Sequence, residues 1–313
     1  MPSSSILYIS FCRPTIRICR SVISTKAPPP GNSFSTRQEA NVMSKPFSLH
    51  RKKRLYLLRH GQAAHNPRAE AAREAGCSHG TFLQLMKEDD VLDAELTMLG
   101  VTQARNLGET VDVRSGSWVS DFGGGAPVSV VPIGLIVSSP LSRALQTAQE
   151  VMRESVGTCD QRVCLETLRE INGWLINAKR RDRHDLMRRF PSWDFSSITP
   201  YDETWTDTLE SESDCRERGY QSLLWASQQK EDGILMVTHG GLLRFTLADH
   251  ENVVTEFVND KCDVVSTGTR NDAKDRFENC ELRAYEMSWD DNDIMERPVF
   301  TMKELCRSTN VIN

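Results

Sequence analysis

Three short apolar runs punctuate the chain, and each stops abruptly at polar or glycine residues. Leu55-Tyr56-Leu57-Leu58 ends at Arg59-His60-Gly61, Gly134-Leu135-Ile136-Val137 at Ser138-Ser139-Pro140, and Gly233-Ile234-Leu235-Met236-Val237 at Thr238-His239-Gly240-Gly241. Continuous apolar runs of this length read as strands buried on both faces, as in a parallel sheet. Val163 to Leu165 reads as a fourth strand. Between them the period changes to that of helices. Leu141, Ala144, Leu145 and Ala148 line one face of 141–151. Thr97 is placed to N-cap 97–111 ahead of Val101, Ala104 and Leu107. Leu242 to Leu247 is a further helical segment, and Leu209 to Gln229 is charge-rich with Leu223, Leu224 and Ala226 as its inner face. Asn279 to Trp289 alternates and predicts a last strand near a sheet edge. Residues 112–133, with Gly123-Gly124-Gly125, predict a loop insertion, and the polar, acidic stretch 251–279 a long excursion. Strands alternating with helices predict an α/β fold, with a mainly parallel central sheet and helices on both faces. In such sheets ligands bind at the carboxyl ends of the strands, where the chain places Arg59, His60, Ser138, Ser139 and His239.

Composition narrows the function. With 38 Lys and Arg against 43 Asp and Glu, the net charge of −5 argues against a nucleic-acid binder. No apolar run reaches the ~20 residues that span a bilayer. The charge is unevenly spread. Residues 1–38 hold Arg13, Arg17, Arg20, Lys26 and Arg37 and no acid, so the rest of the chain carries −10. Residues 1–50 are therefore expected to be a disordered extension, either inert or a mitochondrial transit peptide. Met43 would serve as an alternative start, giving a cytoplasmic form; the other address is the mitochondrial matrix. The nine cysteines include no CxxC pair, which fits reduced thiols rather than a disulfide framework.

The chemistry-bearing residues cluster at the run ends. His60 would be a nucleophile toward phosphorus if a carbonyl held one ring nitrogen as N–H and left the other free. Arg59 offers a donor fork suited to phosphate oxygens. Gly61 and Gly240 leave room for a phosphate, Gln62 flanks it, and Asn66 adds a neutral donor. Arg143 lies in the first turn of the helix after Ser142. A cation is disfavoured there, and a bound anion at the helix N-terminus would offset that cost. His239 is a second strand-end imidazole. Glu170 follows the Val163–Leu165 strand, and apolar Ile171 and Trp174 beside it would favour its protonated form, ready to protonate a leaving oxygen. The basic run Lys179 to Arg189 would face the pocket mouth and favour more than one phosphate, with His65, His184 and Trp193 as rim residues. No HExxH, CxxC pair or EF-hand loop suggests a metal.

Taken together, Arg59-His60-Gly61-Gln62, the Ser138–Ala148 segment, Arg169-Glu170 and Thr238-His239-Gly240 resemble the histidine phosphatase superfamily, which includes cofactor-dependent phosphoglycerate mutases and histidine acid phosphatases. Asp93 to Ala104 is similar to that family's DxxLTxxGxxQA segment. Asn279-Cys280-Glu281-Leu282 and the run from Arg169 through Lys179-Arg180-Arg181 to Phe190–Phe195 resemble the branch of phosphoglycerate mutase-like proteins. The resemblance implies a three-layer domain over residues 51–306, followed by a tail at 307–313. It also implies that His60 becomes phosphohistidine, that Arg59, Arg143 and His239 clamp the phosphoryl group with Asn66 assisting, and that Glu170 is the proton donor. No metal or cofactor is implied, since two guanidinium forks can carry the charge of a phosphoryl group in flight. The mutases follow their acid with Arg-His-Tyr-Gly; here Ile171-Asn172-Gly173-Trp174 stands instead. The reading is a phosphatase acting on a small phosphorylated substrate or a phosphoprotein. The alternatives are a mutase-type phosphotransferase and, in a different class, a non-catalytic phospho-ligand binding module.

Overall fold

The computed structural model describes residues 50–112, 114–116, 129–153, 161–248, 250–258, 264–267, 276–290 and 297–308. The chain divides into a unit of residues 1–46 and one of residues 47–313. The acid-free extension, Met43, Gly123-Gly124-Gly125 and most of the 307–313 tail lie outside the described residues.

The described strands are β1 (His50–Arg59), β2 (Leu135–Ser138), β3 (Arg162–Cys164), β4 (Gly233–Thr238), β5 (Val253–Val258), β6 (Val264–Thr267), β7 (Leu282–Asp290) and β8 (Phe300–Arg307). The described helices are α1 (Pro67–Glu74), α2 (His79–Glu88), α3 (Met98–Thr110), α4 (Ser142–Val151), α5 (Arg183–Arg189), α6 (Glu212–Ser227) and α7 (Gly240–Ala248). The strands form one sheet in the order β3-β2-β4-β1-β7-β8-β5-β6. From β3 to β1 every pairing is parallel, as is β5 with β8, while β1–β7, β7–β8 and β5–β6 are antiparallel.

Strand pleating explains the continuous apolar runs. Tyr56 and Leu58 of β1, Ile136 of β2, and Leu235 and Val237 of β4 pack on one face against Ala104 and Leu107 of α3 and Ala144, Leu145 and Ala148 of α4. The alternate residues Leu55, Leu57, Leu135, Val137, Ile234 and Met236 pack on the other face against Tyr220, Leu223 and Ala226 of α6 and Leu242 and Leu243 of α7. The result is the expected helix–sheet–helix layering. Thr97 caps α3, its Oγ1 accepting Gly100 N–H at 3.0 Å. Leu224, placed on the inner face of α6 from its spacing, is only half-buried.

Two expectations are corrected. Asn279 to Trp289 does contain a strand, but β7 is neither last nor at an edge: it lies between β1 and β8. Its polar-looking face is buried because Arg283 pairs with Glu281 and stacks on Phe277, with 3.9 Å between guanidinium carbon and ring centre. The excursion predicted over 251–279 contains β5 and β6. Its other residues at 259–263 and 268–275 are outside the described set.

Register aligns the functional rim. Arg59 pairs with Thr238, and Ser138 pairs with both Val237 and Cys164. The carboxyl ends of β1, β2, β3 and β4 therefore finish level, and their following loops converge.

Candidate active site

His60 leaves β1 with its side chain 2% exposed. Its Nδ1 lies 2.7 Å from Gly61 O, a carbonyl that can only accept, so Nδ1 carries the proton and Nε2 carries the lone pair. Arg143 Nε donates to that Nε2 at 3.3 Å. Burial, reinforced by the charges of Arg143 and Arg59, holds the His60 pKa well below the ordinary histidine value. The ring is thus a neutral imidazole with its basic nitrogen turned toward a guanidinium.

Arg143 is fully buried in the first turn of α4, and its Nη1 donates to Asn177 O at 2.7 Å. Burial pulls its pKa down to about 10, against the opposing influence of Glu170 and Asp93, so it stays cationic at neutral pH. Arg59 donates from Nη1 to Phe277 O at 2.8 Å and pairs through Nη2 with Glu70. Glu70 also accepts Asn279 Nδ2–H at 2.9 Å. Gly240 lies against Arg59, where a Cβ would stand 3.1 Å from Nε. His239 follows β4, its ring centre 4.9 Å from that of His60 and its Nε2 2.8 Å from Ser139 Oγ. Ser139 Oγ also accepts Leu141 N–H at 3.3 Å, and its hydroxyl can either donate to His239 Nε2 or accept from it. Burial first, then Arg143, keeps this ring neutral too.

Glu170 sits at the start of α7. Its Oε1 accepts from Ile171 N–H at 3.0 Å and Leu242 N–H at 3.1 Å, and its Oε2 from Gly241 N–H at 3.3 Å. The turn that carries His239 therefore also fixes Glu170. Arg218 of α6 braces the segment from behind, donating to the carbonyls of Thr167, Arg169 and Glu170 while paired with Glu210. Trp174, expected beside the carboxyl, packs instead against Ala69, Met86 and Leu175, because the positive φ of Gly173 and of Trp174 itself turns the chain away.

The helix N-terminus expected to receive an anion already holds one from within the chain. Ser142 N–H and Oγ–H donate to the two oxygens of Asp93 at 2.7 and 2.5 Å. Asp93 is fully buried, and burial raises its pKa to about 6 despite those bonds and the nearby Arg143 and Arg181. The unusual position of Arg143 is thus offset by Asp93, the first residue of the DxxLT segment.

Gly61, Gln62 and Asn66 shape the loop. A Cβ on Gly61 would come within 2.7 Å of Gly100 O, so close packing on α3 demands glycine there. The Gln62 amide oxygen accepts Thr97 Oγ1–H at 2.8 Å, which ties its side chain to the α3 cap. Asn66 Oδ1 accepts Ala63 N–H at 3.0 Å, and its Nδ2 faces His65 Nε2 at 3.3 Å. His65, expected at the rim, is 3% exposed and near enough to Arg143 and Arg59 for their charges to act on it. The basic run is largely committed to the scaffold. Arg180 is buried against Glu166, Thr199 and Tyr201, Arg181 pairs with Asp93 and Glu95, Arg189 pairs with Glu95, and Lys179 Nζ lies 4.4 Å above the Trp205 ring. Trp193 is a core residue beside Phe190 and Phe195, and His184 is exposed.

Four buried nitrogens around this centre have no partner among the described residues: Arg59 Nε, Arg143 Nη2, His65 Nδ1 and His239 Nδ1. Leaving a buried donor unsatisfied costs about 1–3 kcal/mol. A tetrahedral oxyanion, with several acceptors on one centre, is the ligand chemistry that relieves several such costs together.

A model of the histidine phosphatase superfamily (branch 1) matches residues 125–267. The phosphoglycerate mutase-like protein 1 of Arabidopsis thaliana is 31% identical over 265 residues, covering 76% of this chain and 82% of that protein. The chain belongs to the histidine phosphatase superfamily. Within it, the chain sides with the phosphoglycerate mutase-like branch: phosphoglycerate mutase-like protein 2 of the same plant is 28% identical over 328 residues, covering 88% of this chain and 82% of that one. A solved mycobacterial glucosyl-3-phosphoglycerate phosphatase is 18% identical, with a TM-score of 0.42 over 80% of this chain and 96% of that one. Membership of the superfamily makes the chain an enzyme of phosphatase or mutase type. The matched span holds Arg143, Glu170 and His239, while Arg59 and His60 precede it.

Proposed function

We propose that the protein is a metal-independent phosphatase that hydrolyses small phosphomonoesters through a phosphohistidine on His60. The observation that carries this reading is the His60 tautomer: Nδ1–H is spent on Gly61 O, and the Nε2 lone pair faces Arg143, whose Nη2 is buried without a partner among the described residues. In this mechanism Nε2 attacks phosphorus, a P–N bond forms and the ester P–O bond breaks. Glu170 gives its proton to the departing oxygen. Water then attacks phosphorus and loses a proton to Glu170, and the P–N bond breaks to free His60 and inorganic phosphate. Arg59, Arg143 and His239 hold the equatorial oxygens, where charge accumulates in flight.

Hydrolysis rather than mutase chemistry is favoured by the segment after the acid. Asn172 spends its side chain on Thr204 O at 2.6 Å and on Arg169 at 3.1 Å, and its N–H on Glu210. Trp174 turns toward α1 and α2. The segment thus offers no cation next to the acid for the carboxylate of a phosphoglycerate. The test is a phosphomonoester panel that includes 3-phosphoglycerate, assayed with and without 2,3-bisphosphoglycerate and with a chelator. Phosphate release independent of both additions is expected. Interconversion of 3- and 2-phosphoglycerate without phosphate release would overturn the reading.

A further inference from the structure

The geometry points to His65 as a third imidazole of the phosphoryl pocket, donating from Nδ1–H to a nonbridging phosphoryl oxygen, with Asn66 acting through it as a positioning residue. This inference rests on the phosphatase reading and adds a substrate-touching residue to it.

The hydrogen-bond network fixes the tautomer. Ala63 N–H can only donate, so the Asn66 atom it meets at 3.0 Å must be the carbonyl Oδ1. The amide nitrogen Nδ2 therefore faces His65, and an amide nitrogen only donates. His65 Nε2, 3.3 Å away, must be the acceptor, which leaves the ring proton on Nδ1. That Nδ1–H is buried and has no partner among the described residues. The charges of Arg143 and Arg59 reach His65, and His65 in turn acts on His60 and His239. Burial and the two guanidinium charges keep the ring neutral, so it brings a donor to the pocket without adding repulsion between the arginines. His65 then presents Nδ1–H, while His60 presents a lone pair on Nε2. One Nδ2–H of Asn66 orients His65, and the second N–H remains for the direct-donor role expected of this residue.

Isosteric variants test this, because an Asn amide overlays the Nδ1 side of imidazole and a Gln amide the Nε2 side. Orthovanadate binding is measured by calorimetry on the full chain, and phosphohistidine formation on the same samples. His65→Gln and His65→Leu are expected to weaken vanadate binding about 10- to 100-fold, the loss of one hydrogen bond to a charged group, and His65→Asn to recover most of it. In the unsubstituted protein, ¹⁵N–¹H correlation of the ring should show the Nδ1–H tautomer, a readout that holds whether or not any variant folds. Vanadate affinity unchanged in folded His65→Gln, or an Nε2–H tautomer, would overturn the role of His65 while phosphohistidine formation on His60 continued. Absence of phosphohistidine in the unsubstituted protein would instead sink the phosphatase reading itself.

Discussion

Gly241→Ala isolates the proton donor from the phosphate clamp. The new Cβ would lie 2.3 Å from Glu170 Oε1 and 3.1 Å from its Cδ. Ordinary carbon–oxygen contact needs roughly 3.4 Å, so the carboxylate must retreat by about 1 Å. The obstructing atom is the end of a flexible side chain, so the fold survives and the carboxylate moves. In retreating it gives up the Leu242 and Gly241 N–H bonds at 3.1 and 3.3 Å. A displacement of about 1 Å costs on the order of 100-fold in rate, the lower end of what a general acid contributes. Stability should be unchanged or slightly higher, because Ala exceeds Gly in helix propensity by up to about 1 kcal/mol. The assay compares kcat on an alkyl phosphate, whose leaving oxygen needs a proton, with kcat on p-nitrophenyl phosphate, whose leaving group does not. The first should fall about 100-fold and the second only a few-fold, with the thermal midpoint preserved. An equal fall on both substrates, or no fall on the alkyl phosphate, would refute the assignment of Glu170.

Other predictions follow from the same geometry. Replacing Glu70 by Ala strands the buried Arg59 guanidinium, at a cost of about 3–5 kcal/mol in urea unfolding; an unchanged midpoint would contradict the pairing. Gly100→Ala drives a Cβ to within 2.1 Å of Gln62 O, a backbone atom of the His60 loop, and should destabilise by about 3 kcal/mol or more while also lowering kcat. His60, His65 and His239 have depressed pKa values in the folded state. The unfolded chain therefore takes up protons first as pH falls through about 6.5, and stability declines below that point by up to about 1.4 kcal/mol per pH unit for each ring. Asp93 works the other way. Its folded pKa of about 6 exceeds the ordinary aspartate value, so it gains stability as pH falls through that window. Three rings outweigh one carboxyl, so unfolding midpoints should drop between pH 6.5 and 5, and a rise there would contradict the neutral imidazoles.

The parts of the fold legible in the sequence are those whose burial is uniform. β1, β2 and β4 stood out because both faces are covered, which leaves no polar residue to break the run. β8 was hidden by Glu304, a fully buried carboxylate paired with Arg307 that interrupts the apolar alternation of Phe300, Met302 and Cys306. β7 was placed at an edge because its run alternates apolar with polar residues such as Glu286 and Ser288, whereas the pairing of Arg283 with Glu281 lets even this charged position be buried. α1 was missed because Glu70, a polar residue of its buried side, exists to hold Arg59. The site divides in the same way. Arg59, His60, Arg143 and His239 were readable because strand ends and a first helical turn locate them. Glu70, Asp93 and His65 were not, because each takes its meaning from a partner distant in sequence or from a proton position that only the hydrogen-bond network fixes. The DxxLT segment carried a signal for Asp93, but not its use as the cap of α4.

The central claim is that His60 carries the phosphoryl group. The direct measurement mixes the protein with ³²P-labelled p-nitrophenyl phosphate for milliseconds, quenches in denaturant and maps the label. The account predicts label on His60, stable to alkali and labile to acid, absent from His60→Ala and accumulating in Glu170→Gln, whose hydrolytic step lacks its base. Sustained phosphate release with no label on His60, or full turnover by His60→Ala, would contradict it.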